Sequence, residues 1–270
     1  MIPAAFDYHR ATSLDDAVRR LGELGDEAKI LAGGHSLIPF MRLRLAAPTA
    51  LVDLHGLAEL RGVRRDGATL RIGALTRHRD LETDPVVRAA LPLLATVAGH
   101  IGDPQVRNRG TIAGAVAHAD PAGEYAAVCL MLDARIVTTK RELGAAGFFL
   151  GRYTTPLDPD EIITEIAFPV EPGPHAYLEF CQRLYDWALV GVAVQRTASG
   201  WRVGLVNVSD TPVRAAGVER ALAAGATAAE AAERAPDGLD PIPTSRAPTA
   251  YRVHLTRVLT RRALAQAGVG

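Results

Sequence analysis

The sequence is poor in the residues from which self-contained catalytic centres are built. It holds two cysteines in 270 residues, Cys129 and Cys181. A [2Fe–2S] cluster of the usual kind needs four thiolates, so this chain cannot carry one. Both cysteines stand in apolar surroundings and are expected to be buried free thiols. The eight histidines, His9, His35, His55, His78, His100, His118, His175 and His254, are scattered. No pair among them has metal-ligand spacing, and no metal site is expected. There is no Gly-x-Ser-x-Gly elbow for a nucleophilic serine. Neither a phosphate loop of the GxxxxGK[ST] kind nor a GxGxxG opening a Rossmann unit occurs. Lysine plus arginine equals aspartate plus glutamate, 30 against 30, and no basic run stands out, which argues against a nucleic-acid partner. No apolar run approaches the ~20 residues that span a bilayer. The opening "MIPAAFDYHRATSLDD" lacks a basic-then-apolar export pattern. A cytoplasmic chain without a transmembrane segment is expected.

What is present reads as an α+β protein in three segments. "SLDDAVRRLGELG" places Ser13 as an N-cap and Asp16 as the third helical residue of a capping box. Leu14, Ala17, Val18 and Leu21 follow at helical spacing, and Gly25 stands at the C-cap. "AKILA" and "TALVDL" read as strands. From Leu60 the pattern alternates around Asp66-Gly67, a hairpin signal. Thr76, and Asp84 before Pro85, are read as two helix starts. "PAGEYAAVCLMLDA" is read as a buried helix beginning near Pro121. "ARIVTT" and "DEIITEIAFPV" are strands, the latter ended by Pro169. The turn-rich "VEPGPHA" marks a boundary. Beyond it come two apolar strands around Ser199-Gly200, then alanine-rich helices. The last two are separated by the proline-rich "APDGLDPIPTSRAP".

Two glycine-bearing segments invite chemistry. "LAGGHSL" follows a strand, and Gly33 and Gly34 can expose consecutive N–H groups, with the Ser36 hydroxyl as a further donor. A glycine pair after a strand is also an ordinary turn. "GTIAGAVAHADPAGE", Gly110 to Glu124, is built almost wholly from small side chains, which suits close approach to a ligand or equally to a packed helix. Asp120 and Glu124 lie four apart and serve either as an acid–base pair or as helix caps. With no nucleophile, metal set or cluster ligands of its own, the chain reads as a cradle for a cofactor that carries the chemistry.

Together, "AGGHSLIPFMRLRL" and "GDPQVRNRGTIAGAVAHADPAGE" resemble the paired FAD-binding motifs of the molybdenum hydroxylase family, in its FAD-carrying medium subunits. "FFLGRYTTPLDPDEIITEIAFP", "RLYDWALVGVAV" and "YRVHLTRVLTRRAL" extend the resemblance over nearly the whole chain. It implies a two-part FAD-binding domain of the vanillyl-alcohol-oxidase type, residues 1–55 and 56–171. A C-terminal α+β domain, residues 172–270, would set a three-stranded antiparallel sheet on helices.

The resemblance also implies a set of cofactor residues. The FAD pyrophosphate would lie between Ala32, Gly33, Gly34, His35 and Ser36 on one side and Thr111, Ala113, Gly114 and Ala115 on the other. Glu124 would contact FAD where relatives usually have aspartate. Asp120 belongs to the same motif, and Ile101 and Ile163 would pack near the flavin. No catalytic residue beyond the flavin is implied in this chain. The implied partners are a large subunit holding a molybdopterin cofactor and a small subunit holding two [2Fe–2S] clusters, assembled as a dimer of heterotrimers. Electrons would leave the FAD to an external acceptor.

One departure concerns the second loop, where relatives read TIGG and this chain reads "TIAG". Alanine at position 113 either has an ordinary φ or forces a rearrangement. Two alternatives stay open on the sequence: a stand-alone FAD oxidase with His35 as a covalent flavin link, and a scaffold subunit without FAD.

Overall fold

The computed structural model describes residues 2–239, 241 and 246–270. Part of the proline-rich separator therefore lies outside the described residues. The first unit runs β1 (Asp7–Arg10), α1 (Leu14–Leu24), β2 (Ala28–Leu31), α2 (Leu37–Arg42) and β3 (Ala50–Asp53). Its strands form a parallel sheet of order β1-β3-β2. The strand "DYHR" carries no apolar alternation and was not anticipated, because β3 alone defines it by pairing. Ser13 caps α1 by accepting the Asp16 N–H at 3.1 Å. The expected box closes one residue further out, since the Asp16 carboxylate takes the Thr12 N–H rather than that of Ser13. Gly25, at φ 73°, ends the helix by donating to the Leu21 carbonyl.

The second unit begins with β4 (Val63–Asp66) and β5 (Thr69–Gly73), joined at Gly67 with φ 58°. Six helices follow: α3 (His78–Thr83), α4 (Pro85–Ala90), α5 (Pro92–His100), α6 (Pro104–Arg107), α7 (Ile112–His118) and α8 (Glu124–Met131). Strands β6 (Arg135–Thr138), β7 (Glu142–Gly144) and β8 (Ile163–Pro169) complete an antiparallel sheet of order β4-β5-β8-β6-β7. Asp84 caps α4 as expected, accepting from Val86 and Val87 N–H. Thr76 starts no helix. Its hydroxyl exchanges bonds with both the N–H and the carbonyl of Gly62, and α3 opens two residues later. The helix expected from Pro121 begins at Glu124, because the Asp120 carboxylate and carbonyl hold Ala122 and Gly123 in a turn. Leu70, Ile72, Leu93, Leu94, Tyr125, Phe148 and Phe168 form the centre of this unit's core.

The third unit has β9 (His175–Phe180), β10 (Val190–Thr197), β11 (Gly200–Val206) and β12 (Val213–Arg214), then α9 (Ala216–Ala223), α10 (Ala228–Ala232) and α11 (Thr249–Gln266). The antiparallel sheet has four strands, order β12-β11-β10-β9, where three were expected. The addition is the two-residue edge strand β12, too short to leave a sequence period. Val190, Val192, Val194, Val203 and Leu205 bury against Leu255, Leu259 and Ala263 of α11.

The last two units meet closely. A Cβ placed on Gly204 of β11 would stand 2.9 Å from Met131 Sδ and 3.0 Å from the Ala127 carbonyl oxygen. This contact seats the third sheet directly on α8, the helix that begins with Glu124. Of the two thiols, Cys129 is buried as expected, but Cys181 is only half-buried. Among the described residues no helix is long and apolar enough to cross a membrane. Nor does any group of His, Cys, Asp and Glu side chains among them suit a metal ion.

Candidate functional site

The two glycine segments, some 80 residues apart in sequence, abut. A Cβ on Gly33 would lie 2.5 Å from the Arg109 carbonyl oxygen and 2.7 Å from the Gly110 Cα, so only glycine fits at this joint. Gly34 takes φ 77°, a conformation that glycine adopts without strain. A Cβ on Gly114 would come within 3.8 Å of the Ala32 Cβ. The turn after β2 and the entry to α7 are thus two walls of one crevice.

The two walls differ in what they offer. Among the described residues, the N–H groups of Gly33, Gly34, His35 and Ser36 donate to nothing. Ser36 stands at the N-cap of α2, but its hydroxyl caps no amide. The second wall is clamped from behind by residues 74–78. Ile112 N–H donates to the Thr76 carbonyl at 3.0 Å, Ala113 N–H to the Ala74 carbonyl at 3.3 Å, and His78 N–H to the Gly110 carbonyl at 3.0 Å. Thr111 caps α7 by accepting the Gly114 N–H at 3.3 Å. The run of free backbone donors therefore lies in the first wall, while in the second the amides of Ile112, Ala113, Gly114 and Ala115 already hold internal bonds and that of Thr111 does not. Ala113 and Ala115 lie within α7 and neither has a positive φ. Neither position demands glycine, so the "TIAG" departure costs no backbone strain.

His78 holds the second wall in place, a role its sequence context did not reveal. It is buried, shares a 3.2 Å hydrogen bond between Nδ1 and the Tyr125 hydroxyl, and presents its other edge to Gly110. Burial, with the nearby His35 and Arg107, brings its pKa down to about 3, so the ring is neutral. His35 itself is exposed at the tip of the first wall. Partial burial and Arg109 lower its pKa against the opposing effect of Asp103.

At the far end of α7 the chain carries its acidic residues. Glu124 is 6% exposed. No other described residue hydrogen-bonds to its side chain, which is reached only by its own backbone N–H. Burial raises its pKa to about 8, helped by the carboxylates of Glu179 and Asp120. Glu179 comes from β9, where it accepts the Tyr177 hydroxyl at 2.9 Å. The half-buried Cys181 thiol also bonds to Glu179, and burial and that carboxylate push the thiol up to about 12.

Asp120 is served by the Ala122 N–H and by the Tyr153 hydroxyl at 3.3 Å. Tyr153, His118 and Phe40 form a three-ring group with centroid separations of 4.9 to 5.5 Å. Tyr153, at φ 56°, donates its N–H to the carbonyl of Ala119, itself at φ 49°. Two adjoining left-handed non-glycine residues mark a strained corner of the kind found at binding sites. Ile101 and Ile163 are buried in the same core cluster. The sequence did hold one signal for Glu179: Tyr177, Glu179 and Cys181 fall at period two, on one face of a strand end.

A row of unpaired amides and a buried carboxyl without a partner are the marks of a site that a ligand completes. An extended nucleotide with an anionic centre and hydrogen-bonding groups on either side matches those donors and that carboxyl, so the residues present fit a flavin nucleotide. Comparison with known proteins gives the same direction. Residues 4–171 match the FAD binding domain in molybdopterin dehydrogenase, and residues 175–267 match the CO dehydrogenase flavoprotein C-terminal domain.

The chain belongs to this flavoprotein family. As a molybdopterin-dehydrogenase flavoprotein it is 40% identical to the carbon monoxide dehydrogenase medium chain of Hydrogenophaga pseudoflava, covering 98% of this chain and 97% of that one. It is 36% identical to the 6-hydroxypseudooxynicotine dehydrogenase complex subunit alpha of Paenarthrobacter nicotinovorans, over 99% of this chain and 96% of that one. Its fold superposes on a chain of the solved carbon monoxide dehydrogenase of Hydrogenophaga pseudoflava with a TM-score of 0.94, at 41% identity and covering 99% of this chain and 98% of that one. FAD is the cofactor of the family's first domain, and the chain is a subunit of an oxidoreductase.

Proposed function

We propose that the chain is the FAD-binding medium subunit of a cytoplasmic molybdenum hydroxylase. Its partners are a large subunit holding a molybdopterin cofactor and a small subunit holding two [2Fe–2S] clusters, in a dimer of heterotrimers. FAD, when bound, supplies the redox chemistry, taking electrons from the partner's clusters and passing them to an external acceptor. This chain's own residues bind and orient. In this reading residues 1–55 and 56–171 form the two parts of the flavin domain and residues 172–270 the C-terminal domain.

Gly33, Gly34, His35 and Ser36 offer backbone donors to the pyrophosphate beside Ala32. Thr111, Ala113, Gly114 and Ala115 supply a small-residue wall held rigid from behind, and Ile101 and Ile163 close the apolar side. Asp120 and Glu124 meet the cofactor at the opposite end of α7. Substrate choice belongs to the large partner. Relatives similar to this chain at 40% and 36% identity carry the names of dehydrogenases of carbon monoxide and of 6-hydroxypseudooxynicotine.

The observation that carries this reading is the backbone joint at Gly33, which sets a run of four amides without internal partners against the entry to α7. The test is titration of the flavin-free chain with FAD, followed by quenching of flavin fluorescence. Saturable one-to-one binding is expected, with the flavin released on denaturation. No quenching would remove the reading. Flavin that stays with the denatured polypeptide would favour a covalent oxidase linked through His35.

A further inference from the structure

We propose that Glu124 meets the flavin nucleotide as a neutral acid, donating a hydrogen bond to an acceptor atom of the ligand, so that flavin binding requires this carboxyl to be protonated. This rests on the FAD reading above and adds the state in which the residue works. The argument begins with geometry. Glu124 opens α8 beyond the far end of α7, is 6% exposed where α8 packs under the third sheet, and no other described residue bonds to its side chain.

The groups facing it come from three places in the fold, and none of them is a cation. Tyr177, Glu179 and Cys181 stand on or just after β9, Asp120 on the preceding turn, and Tyr125 on α8 itself. The Tyr177 hydroxyl is already committed to Glu179. His118 lies 4.0 Å from Asp120, and its burial works against its carrying a charge. His100, edge-on to Tyr177, has its Nδ1 bonded to the Thr96 carbonyl.

An ionised Glu124 in this setting faces two carboxylates at low effective dielectric, with only its own backbone N–H to offset the burial and the like charge. A pyrophosphate dianion held at the other end of α7 adds negative charge to the site and brings no cation to offset an ionised Glu124. A protonated carboxyl has no such conflict and contributes the donor that the acidic end of the site otherwise lacks. The apo carboxyl has its pKa raised to about 8 by burial and by Glu179 and Asp120. A ligand that binds only the protonated form raises it further. By linkage the affinity is then level below pH 8 and falls tenfold per pH unit above it, until the pKa of the complex is passed.

The test uses the full chain freed of flavin and titrated with FAD from pH 6.5 to 9.5, with circular dichroism at each pH to confirm the fold. Wild type is expected to weaken at least tenfold between pH 8 and 9.5. Glu124→Gln, which keeps an uncharged donor, is expected to bind like wild type at pH 6.5 and to show no fall. Infrared spectra of the apo chain at pH 7 supply a readout independent of flavin: a buried carboxylic-acid carbonyl band, absent from E124Q. Wild-type affinity that stays level or rises with pH overturns the inference, as does an E124Q chain that still weakens in parallel. Absence of FAD binding at every pH overturns the FAD reading and this inference with it. Binding without pH dependence overturns the inference alone.

Discussion

Replacing Gly33 by alanine tests the joint on which the crevice depends. The added Cβ would stand 2.5 Å from the Arg109 carbonyl oxygen and 2.7 Å from the Gly110 Cα, where ordinary contact begins at 3.4 Å. Both obstacles are backbone, so no side chain can swing aside. The two walls must part by roughly an ångström, and over-packing of this kind costs about 1–3 kcal/mol. At about 2–4 °C per kcal/mol for a chain of this size, the loss in melting temperature is about 2–12 °C. The parted amides are also expected to lose at least tenfold in FAD affinity.

Gly22→Ala is the matched control. Gly22 lies in α1 with nothing within 4 Å of an added Cβ. Alanine there is expected to stabilise by about 0.5–1 kcal/mol and leave FAD binding unchanged. Differential scanning fluorimetry and flavin-fluorescence titration of the three chains decide the matter. A G33A chain that melts with wild type and binds FAD equally well would refute the close contact and the crevice built on it.

Further expected outcomes are as follows. Ala113→Gly places glycine in the first turn of α7 and should cost about 1 kcal/mol in urea unfolding, with no gain in FAD affinity. Gly110→Ala brings a Cβ to 2.5 Å from His78 Nε2 and should weaken FAD binding. Adding His78→Ala should restore part of it, which a double-mutant cycle would read as coupling. Glu124→Gln should stabilise the apo chain in a pH-dependent way. The folded pKa is raised from 4.5 to about 8, so the native state holds a proton that the unfolded chain has lost, and wild-type stability falls as pH rises through that window. By pH 7 the cost is of order 3 kcal/mol. Urea titrations of E124Q and wild type should therefore coincide near pH 4 and diverge by about that amount at pH 7.

Much of the local structure was legible because its causes lie within a few residues. Ser13 and Asp84 have the side chains that caps require, and Gly67 and Gly25 adopt the positive φ that a hairpin turn and a helix end require. The misreadings have non-local causes. Thr76 looks like a helix start until Gly62, fourteen residues earlier, takes both of its hydrogen bonds. "DYHR" becomes a strand only beside β3. Pro121 looks like a first helical residue, yet Asp120 holds the turn that delays α8 to Glu124.

The sequence by itself determined the two glycine segments, the small side chains of α7, the absence of four cluster thiolates, and hence a cradle for a cofactor that carries the chemistry. These are matters of residue type and short spacing, which survive in one dimension. Only the tertiary structure decided which wall keeps its amides free, that Ala113 sits at an ordinary helical φ, and that Gly33 rests on Arg109. It also decided the state of Glu124. A carboxyl's pKa depends on what water it has lost and which charges stand near it, and one of those, Glu179, comes from β9 in the third unit.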